Sequence, residues 1–506
     1  MEQVNLTDYQ DADFSGIFGQ QETNELLKAM QAGAITGRET ANQSLTQEPL
    51  KVESLEKTLK LLEYRMKDVK LWNAIPKLVA YNTVEEYIQL ESYGTDRGGF
   101  YSEGELSDVE DSQYRRKAEL VKYIQVTGEV TLQAQMVRSY VDAMRKEVEN
   151  KTMWIVRKVS SALTKADSVM VSQEFNGLYA QHALIGAAAD SIYASLDAYQ
   201  DSTSVIDLRG DSLRQSDLED GAVNVDANFG NVDSLFGPPA VMSGLFKDYF
   251  TRQRIITGAT SATGTIGTVP KAIDTQFGAV AINSDKFMAK NPARLLTALA
   301  TSPKAPTAPS VTSQTLVADG TASCRFAAGE VHTGALGAVF YGVSALNQYG
   351  ESAITVFNNT TKITLTAANS VDLVFAAGAG GAYAATAFVI YRSKITAATN
   401  ATTGAVLFYP IFKVTTAQRT AGYDGGAAGT VRDRNRFLPD TQEAFANEMS
   451  EDVVSFKQLA PLSKLELSVL GPSNRFICYL WGTPILFTPR KMVRFINVGP
   501  FATSSV

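Results

Sequence analysis

A glycine-containing stretch holds eight charged residues whose types and spacing are suited to forming ion pairs. Five acids come first and three bases follow: Glu103, Glu105, Asp108, Glu110 and Asp111, then Arg115, Arg116 and Lys117. Few side chains that could be buried accompany them, so this stretch cannot form a core of its own. Because an acidic segment on one chain can pair with a basic patch on an identical neighbour, we predict that these residues form contacts between subunits. The alternative is a mobile, solvated loop.

The residue types that common catalytic and metal sites use are scarce. His182 and His332 are the only histidines, so a histidine triad or a multi-histidine metal site is disfavoured. The sequence contains no GxSxG, HExxH, CxxC or Walker motif. Carboxylate catalysis stays open, because such carboxylate pairs meet only in the folded chain. We therefore predict a protein that is not an enzyme and that binds neither a cofactor nor a metal.

The overall composition disfavours several other classes of protein. The 506 residues are 45% hydrophobic and 20% charged, with a formal net charge of −7, which is ordinary for a soluble globular protein. Without clustered Lys and Arg, sequence-directed binding of nucleic acid by this chain alone is disfavoured. The polar start predicts no signal peptide, and no apolar run reaches the length of a membrane span. Cys324 and Cys478 lie far apart, which argues against a disulfide framework and fits a reducing cytosol.

A hairpin and a long helix would position the charged stretch. Residues 83–92 and 121–130 flank it with alternating side chains, which predicts a long two-stranded excursion with a polar tip. From residue 133 to residue 170, most apolar side chains recur at steps of three, four or seven, and no Gly or Pro interrupts the run. We predict one helix, about 57 Å long if unbroken, that serves as a spine for the surrounding sheets. The alternatives are half of a coiled coil and a surface helix with one buried stripe.

The segments on either side of the hairpin and helix are less regular. Residues 1–50 are polar and predict either brief helices on an extended arm or a disordered tail. Residues 52–66 predict a short amphipathic helix, and residues 71–80 predict a strand or a turn into one. Ser216 and Glu219 have capping-box spacing, which predicts a helix start. Residues 224–250 predict two helices separated by a turn at residues 237–239.

A change of composition near residue 300 predicts an inserted module. Only 12 of the 130 residues from 301 to 430 are charged, and short β-rich runs recur there between turn residues, which favours a β-sandwich. Val339, Tyr341, Val343 and Ala345 alternate onto one face, and Pro410 favours an edge position or a bulge. Residues 341–352, YGVSALNQYGES, resemble the late strands of fibronectin type III and related immunoglobulin-like modules.

The tail beyond the insert predicts a buried strand. Its apolar side chains fall on both faces: Phe476, Cys478 and Leu480 on one, Ile477, Tyr479 and Trp481 on the other. A strand that is apolar on both faces belongs in a central, doubly covered position. Such a strand must complete a core begun earlier in the chain, so we predict that the insert interrupts one domain.

Five segments, taken in order, resemble the major capsid proteins of tailed bacteriophages, most closely the long form with an immunoglobulin-like insertion. They are FNGLYAQ (175–181), VIDLRGDSLRQSDLEDGAVNVDANFGNVDSLFGPPAV (205–241), the β-rich insert, NEMSEDVVSFKQLAPLSKLELSVL (447–470) and FICYLWGTPILFTPRKMVRFINV (476–498). The order of the parts and the C-terminal block carry this resemblance, which spans roughly residues 50–500.

The resemblance implies an α+β fold of the Hong Kong 97 type with an inserted all-β immunoglobulin-like sandwich. The implied parts are an N-terminal arm at 1–80, an extended loop at 81–135, the spine helix of a peripheral domain at 136–180, part of an axial domain at 181–301, the insert at 302–432, and a return through the core to the peripheral sheet at 433–506.

The resemblance also implies a structural function. The chain would assemble with itself, as hexamers and pentamers, into the icosahedral head that encloses double-stranded DNA. Portal, scaffold and decoration proteins would be further partners, with no membrane involved. The location would be the virion capsid, assembled in the host cytoplasm. The alternative function is a surface or tail-associated binding protein whose immunoglobulin-like module holds a ligand, which the missing secretion signal disfavours.

Overall fold

The structure is a computed structural model of the chain. It describes residues 65–94, 100–106, 109–136, 142–183, 204–252, 272–320, 326, 336–379, 381, 383–468 and 471–499. The predicted arm up to residue 64, the Gly/Thr-rich residues 258–270, Asp108, Cys324 and His332 lie outside the described residues.

The described residues form α-helices, short 3₁₀ turns and β-strands. The helices are α1 (Lys70–Ala74), α2 (Leu132–Met136), α3 (Ala143–Lys165), α4 (Leu178–Ala183), α5 (Gln215–Asp226), α6 (Pro239–Arg252) and α7 (Thr416–Ala421). The 3₁₀ turns are Met66–Asp68, Lys286–Met288 and Pro489–Lys491.

The strands are numbered along the chain. They are β1 (Lys77–Val79), β2 (Val84–Ser92), β3 (Gln113–Leu120), β4 (Lys122–Thr131), β5 (Val205–Asp207), β6 (Ser234–Gly237), β7 (Ala272–Thr275), β8 (Gly278–Ser284), β9 (Arg294–Leu295), β10 (Ser310–Ala318), β11 (Ala338–Val339), β12 (Tyr341–Asn347), β13 (Gly350–Glu351), β14 (Thr355–Val356), β15 (Ile363–Thr364), β16 (Asn369–Ala376), β17 (Ala387–Ser393), β18 (Leu407–Thr415), β19 (Thr430–Asp433), β20 (Gln442–Asn447), β21 (Val454–Glu466), β22 (Ser473–Leu486) and β23 (Met492–Val498).

The spine helix α3 is shorter than the sequence predicts. Asp142 caps its start, because the Asp142 carboxylate accepts a hydrogen bond from the backbone N–H of Met144 at 2.9 Å. The helix ends at Lys165, and Met170 lies in a turn beyond it. The prediction of one unbroken helix over residues 133–170 is therefore wrong: α3 has 23 residues and is about 35 Å long. Apolar side chains recur at helical spacing beyond both ends of α3, and this spacing alone does not show where a capping residue ends the helix.

The first sheet has the order β1-β21-β22-β4, and α3 packs on it. Ile155, Val159 and Leu163 are all 0% exposed in the shared core, as the helical spacing predicts. Residues 71–80, predicted as a strand or a turn into one, instead contain most of α1 followed by β1. The buried carboxylate of Asp285 accepts hydrogen bonds from the first backbone N–H groups of α1, and this tertiary contact fixes the helix there.

The second sheet combines strands from both sides of the β-rich segment. Its order is β5-β23-β20-β6-β8-β7, and α5 and α6 pack on it around a second core. Strands β20 and β23, which follow the insert, pair with β6 and β5, which precede it. The tail thus completes sheets begun earlier, as its pattern predicts. Helix α5 begins at Gln215, where the Asp217 carboxylate accepts from the Arg214 N–H at 2.8 Å, so the predicted cap at Ser216 is wrong.

The β-rich segment forms its own sheets and its own cores. One sheet has the order β10-β16-β19, and a second has the order β13-β12-β17-β18-β9, with β14 also paired to β12. A third, two-stranded sheet pairs β11 with β15. Val339, Tyr341, Val343 and Ala345 share one core, which confirms the predicted face. The pairing of β17 with β18 shifts register next to Pro410, which confirms the predicted bulge. Strand β9, at residues 294–295, joins the second of these sheets, so that sheet begins before residue 302.

Candidate subunit-contact surface

A two-stranded excursion is present as the antiparallel hairpin β2–β3, but only its first strand is the predicted one. The second strand, β3, lies in the stretch predicted as the polar tip. Residues 121–130, predicted as the second strand, belong to β4 and pair with β22 in the first sheet. Its register pairs Val84 with Leu120 at the base and Leu90 with Tyr114 near the far end. Residues on directly opposed positions share a face, and successive residues alternate between faces. The hairpin therefore has one face toward the body of the chain and one face away from it.

The inner face of the hairpin is held on the body of the chain. The Tyr87 ring lies edge-on to Phe487, with centroids 5.1 Å apart, and the Gln89 side chain donates a hydrogen bond to the Phe487 carbonyl. At the base, Asn176 donates to the Glu119 carboxylate at 3.2 Å. Burial raises the pKa of Glu119, and the hydrogen bond from Asn176 limits that rise. These contacts fix the orientation of the hairpin.

The outer face carries a row of exposed apolar side chains, which we call the hairpin stripe. Its members are Val84, Ile88, Leu90, Tyr114 and Leu120, between 37% and 71% exposed. An exposed apolar row on a two-stranded hairpin marks an interaction surface, because a single hairpin is marginally stable in water. This exposed row was not predicted from the sequence. The alternation of Ile88 and Leu90 with Tyr87 and Gln89 along β2 is the sequence pattern that could have predicted it.

The three predicted basic residues lie in β3 and not at the tip. Arg116 is on the outer face and pairs with Glu86 of the same hairpin. Arg115 and Lys117 point to the other face and are half-buried. The three bases therefore do not form one cluster, because the strand sends successive residues to opposite sides. Their contact with another subunit stays a prediction.

The acidic residues that the structure describes do lie at and beside the tip. Glu103, Glu105 and Asp111 are exposed, and the Glu105 carboxylate accepts from the backbone N–H of Ser102 at 3.2 Å. Glu110 lies beside the tip as well, and Asp108 is outside the described residues. Whether these side chains contact another subunit stays a prediction.

A second exposed surface lies on the first sheet, opposite α3. Strand β22 is central, between β21 and β4, and Phe476, Cys478 and Leu480 are buried on the helix side, as predicted. The other face, with Ile477, Tyr479 and Trp481, is only half-buried among the described residues. The expectation that both faces are covered within the chain is thus half wrong, because the helix layer lies on one side only.

Aromatic contacts make this uncovered face continuous. Trp481 lies edge-on to Tyr123 of β4, with ring centroids 5.3 Å apart, and Tyr479 lies 5.2 Å from Trp481 on the same face. Tyr123 is 55% exposed, and the indole N–H of Trp481 has no hydrogen-bond partner in the described structure. Like the hairpin stripe, this face is better suited to contact with another chain than with water.

Metal-ligating side chains are not grouped in the part of the chain that the structure describes. No group of three or more His, Cys, Asp or Glu side chains that could hold a metal occurs among them. His182 is buried, with Nε2 3.0 Å from the Met492 carbonyl, and Cys478 is a buried free thiol. None of the helices in the described part of the chain is both long and apolar enough to cross a membrane.

Comparison with known proteins found similar chains among phage proteins. The chain is 23% identical over 501 residues to the "Major capsid protein" of Staphylococcus phage S25-3, covering 98% of each chain. It is also 23% identical over 472 residues to the "Putative major capsid protein" of Enterococcus phage phiEF24C, covering 90% of this chain and 91% of that one. A solved structure of Gordonia phage Cozz aligns with 91% of this chain and 98% of its own, at 7% identity and a TM-score of 0.41. No protein-family model matches the chain.

Proposed function

We propose that this chain, a homologue of phage major capsid proteins, is the subunit from which the shell of a phage head is built. The observation that carries the proposal is similarity to major capsid proteins over 98% of both chains. The role is structural and not enzymatic. Its location is the capsid of the virion.

The exposed surfaces of the chain support self-assembly. A shell subunit needs several specific contacts with copies of itself, and many modest contacts together give a stable container. The hairpin stripe and the aromatic face of the first sheet are two such surfaces. The side chains of the hairpin stripe are exposed, with the Arg116–Glu86 pair on the same face, and the aromatic face is half-buried among the described residues.

The finer architecture is part of the same proposal. The hairpin β2–β3 would be the extended loop, α3 with the first sheet the peripheral domain, and the second sheet with α5 and α6 the axial domain of a Hong Kong 97-type fold. Residues 302–432, together with β9, would be an immunoglobulin-like insertion on the outer surface of the shell. Its separate cores and its own sheets support this assignment.

The partners are inferred from the role. Hexamers and pentamers of the chain would enclose double-stranded DNA, and portal, scaffold and decoration proteins would complete the head. Assembly would take place in the host cytoplasm. The net charge of −7 supports a wall that does not adhere to packaged DNA.

The hairpin stripe gives the direct test of the proposed function. Replacing Ile88 with Asp puts a charge on a side chain that is 71% exposed in the subunit, so the melting temperature of the isolated subunit should stay within about 2 °C of the parent. In a shell the same carboxylate would be buried against a neighbour at a cost of several kcal/mol. We expect closed particles or capsomer rings in electron micrographs of the parent and none for Ile88→Asp.

Ile88→Val is the matched control, because it keeps the surface apolar at nearly the same size. It should assemble as the parent does. Failure of the parent to form rings or shells under any assembly condition would count against the capsid proposal itself. Normal assembly of Ile88→Asp would remove only the hairpin stripe from the interface.

The insert offers a second prediction, about independent folding. A fragment of residues 292–437 retains β9 and the side chains of Leu296 and Phe437, which pack against the cores of the insert. We expect it to give a β-type circular dichroism spectrum and a cooperative melt. A fragment of residues 302–432 lacks these parts and should melt at a lower temperature. A random-coil spectrum for the longer fragment would contradict the domain assignment.

A further inference from the structure

A cleft of about 410 Å³ separates the core of the subunit from the β-rich segment. One wall comes from the end of α3 and from α4, β20 and β23. The opposite wall comes from the insert and is aromatic: Phe412 stacks on Tyr423 with centroids 5.3 Å apart, and Phe437 lies 6.4 Å from Phe412. The cleft therefore offers an apolar surface to whatever enters it.

Part of the charge in the cleft is already compensated. The Arg494 guanidinium donates two hydrogen bonds to the Glu443 carboxylate, and Lys290 lies 3.1 Å from the same carboxylate. Burial alone would raise the pKa of Glu443, but Arg494 and Lys290 lower it to about 2. Glu443 is therefore ionised and neutralises one of these two cations.

Two further lysines in the cleft lack such compensation. Lys165, at the end of α3, and Lys413, on β18, form no hydrogen bond or ion pair with any described residue. Burial, together with the positive charge of Lys413, lowers the pKa of Lys165 to about 8, although Asp285 and Glu443 oppose the shift. Asp167 is the other carboxylate in the lining. Four cations against two carboxylates leave the cleft with an excess of positive charge.

The tip of the hairpin has the complementary chemistry. Phe100, Leu106 and Val109 are 99%, 93% and 89% exposed, so no described part of their own chain covers them. Glu103 and Glu105 lie between Phe100 and Leu106 and are exposed as well. An acidic segment with large apolar side chains is what an apolar, cationic cleft would accept.

We propose that the tip of the hairpin, residues 100–106, docks into the cleft between insert and core of a second copy of this chain. Glu103 and Glu105 would face Lys165 and Lys413, while Phe100 and Leu106 would lie against the aromatic wall. The inference rests on the proposed function, because it needs an assembly of identical subunits. It adds to that function the surface that receives the hairpin, and it gives the insert a part in assembly.

Both the tip and the cleft contribute to the favourable free energy of docking. The tip removes apolar side chains from water, at roughly 25 cal/mol per Å² buried. Its carboxylates bring negative charge next to two ammonium groups that repel each other in the empty cleft. Each contact is modest, and the repetition of the contact around a ring of subunits makes the sum large.

Zero-length cross-linking tests the contact directly. A carbodiimide joins a carboxylate to an amine as an amide only when the two groups touch. Shells assembled from an equal mixture of ¹⁴N and ¹⁵N subunits should yield peptides that link Glu103 or Glu105 to Lys165 or Lys413, with mixed isotope labels. Unassembled subunits should not yield them.

The outcomes separate this inference from the proposed function. Absence of shells from the parent would contradict the proposed function. Shells that form without these cross-linked peptides, or with peptides linked only within one isotope label, would overturn the docking proposal alone.

Charge reversal provides an independent measurement. Lys413→Glu should raise the subunit concentration needed for assembly about tenfold or more, because like charges then meet in a partly buried contact. Adding Glu105→Lys to Lys413→Glu should restore most of the loss. Lys286→Glu, the same change at an exposed lysine outside the cleft, should leave assembly unchanged. Equal assembly of Lys413→Glu and the parent would overturn the proposal.

Discussion

Val159→Asp should remove almost all soluble, folded subunit. Val159 is 0% exposed and lies on the face of α3 that packs against the first sheet, where Phe456 and Phe476 form part of the same core. An aspartate at this position buries a carboxylate without a partner, which costs several kcal/mol or forces the group to take up a proton. A domain of ordinary stability, about 5–15 kcal/mol, cannot absorb that loss and stay well folded. Solubility and circular dichroism of the expressed variant measure the effect.

Two neighbouring positions provide the comparison. Lys158→Asp places the same residue on the exposed face, where the lysine makes only a 3.6 Å ion pair with Glu174, and should stay soluble. Val148→Asp should be milder than Val159→Asp, because Val148 is only partly buried against the core. Soluble, assembly-competent Val159→Asp protein would mean that this face of α3 is not buried.

Arg392→Met should destabilise the insert by about 3–5 kcal/mol, because it leaves a buried carboxylate unpaired. Arg392 and Asp433 are 1% and 2% exposed, and the guanidinium Nη1 lies 2.9 Å from Asp433 Oδ2. The other terminal nitrogen donates to the side chain of Asn435 at 2.8 Å, and the Tyr341 hydroxyl donates to the same carboxylate oxygen at 2.8 Å. Methionine fills much of the volume of the arginine side chain but carries no positive charge to pair with the Asp433 carboxylate.

Urea unfolding of the full chain, followed by circular dichroism, measures this loss as a lower midpoint for the insert. The urea midpoint of Arg392→Lys should fall between those of the parent and Arg392→Met. The lysine ammonium group keeps the positive charge, but it lacks the planar guanidinium that reaches both Asp433 and Asn435. Equal midpoints for the parent and Arg392→Met would show that the ion pair contributes nothing to the stability of the insert.

The sequence patterns predicted which side of a helix or strand is buried, but they did not predict where a helix begins or ends. Residues that alternate along a strand or recur along a helix report which side is buried, so the cores around Val159 and around Val343 were predictable. Helix ends were not, because the cap at Asp142 and the hydrogen bonds that α1 donates to the Asp285 carboxylate depend on single side chains. For the same reason, the predicted cap at Ser216 was displaced to the pair of Arg214 and Asp217.

The charged stretch shows the same limit at the candidate site. The sequence placed acids before bases, and the structure keeps the described acids at or beside the tip. It also separates Arg116 from Arg115 and Lys117, because strand geometry sends neighbouring residues to opposite faces. The positive partner that best suits the acidic tip is formed by Lys165 and Lys413, which lie 248 residues apart in the sequence and could not be joined by any local pattern.

By itself, the sequence determined the class of this protein: a mixed α and β chain without catalytic motifs, with a β-rich segment inside another fold and the ordered blocks of a phage capsid protein. Composition, periodicity and order are properties of the chain and need no coordinates. Only the tertiary structure decided which apolar surfaces are left for neighbours. The hairpin stripe, the aromatic face of the first sheet and the cationic cleft each combine residues from distant segments, and exposure is a property of the folded surface.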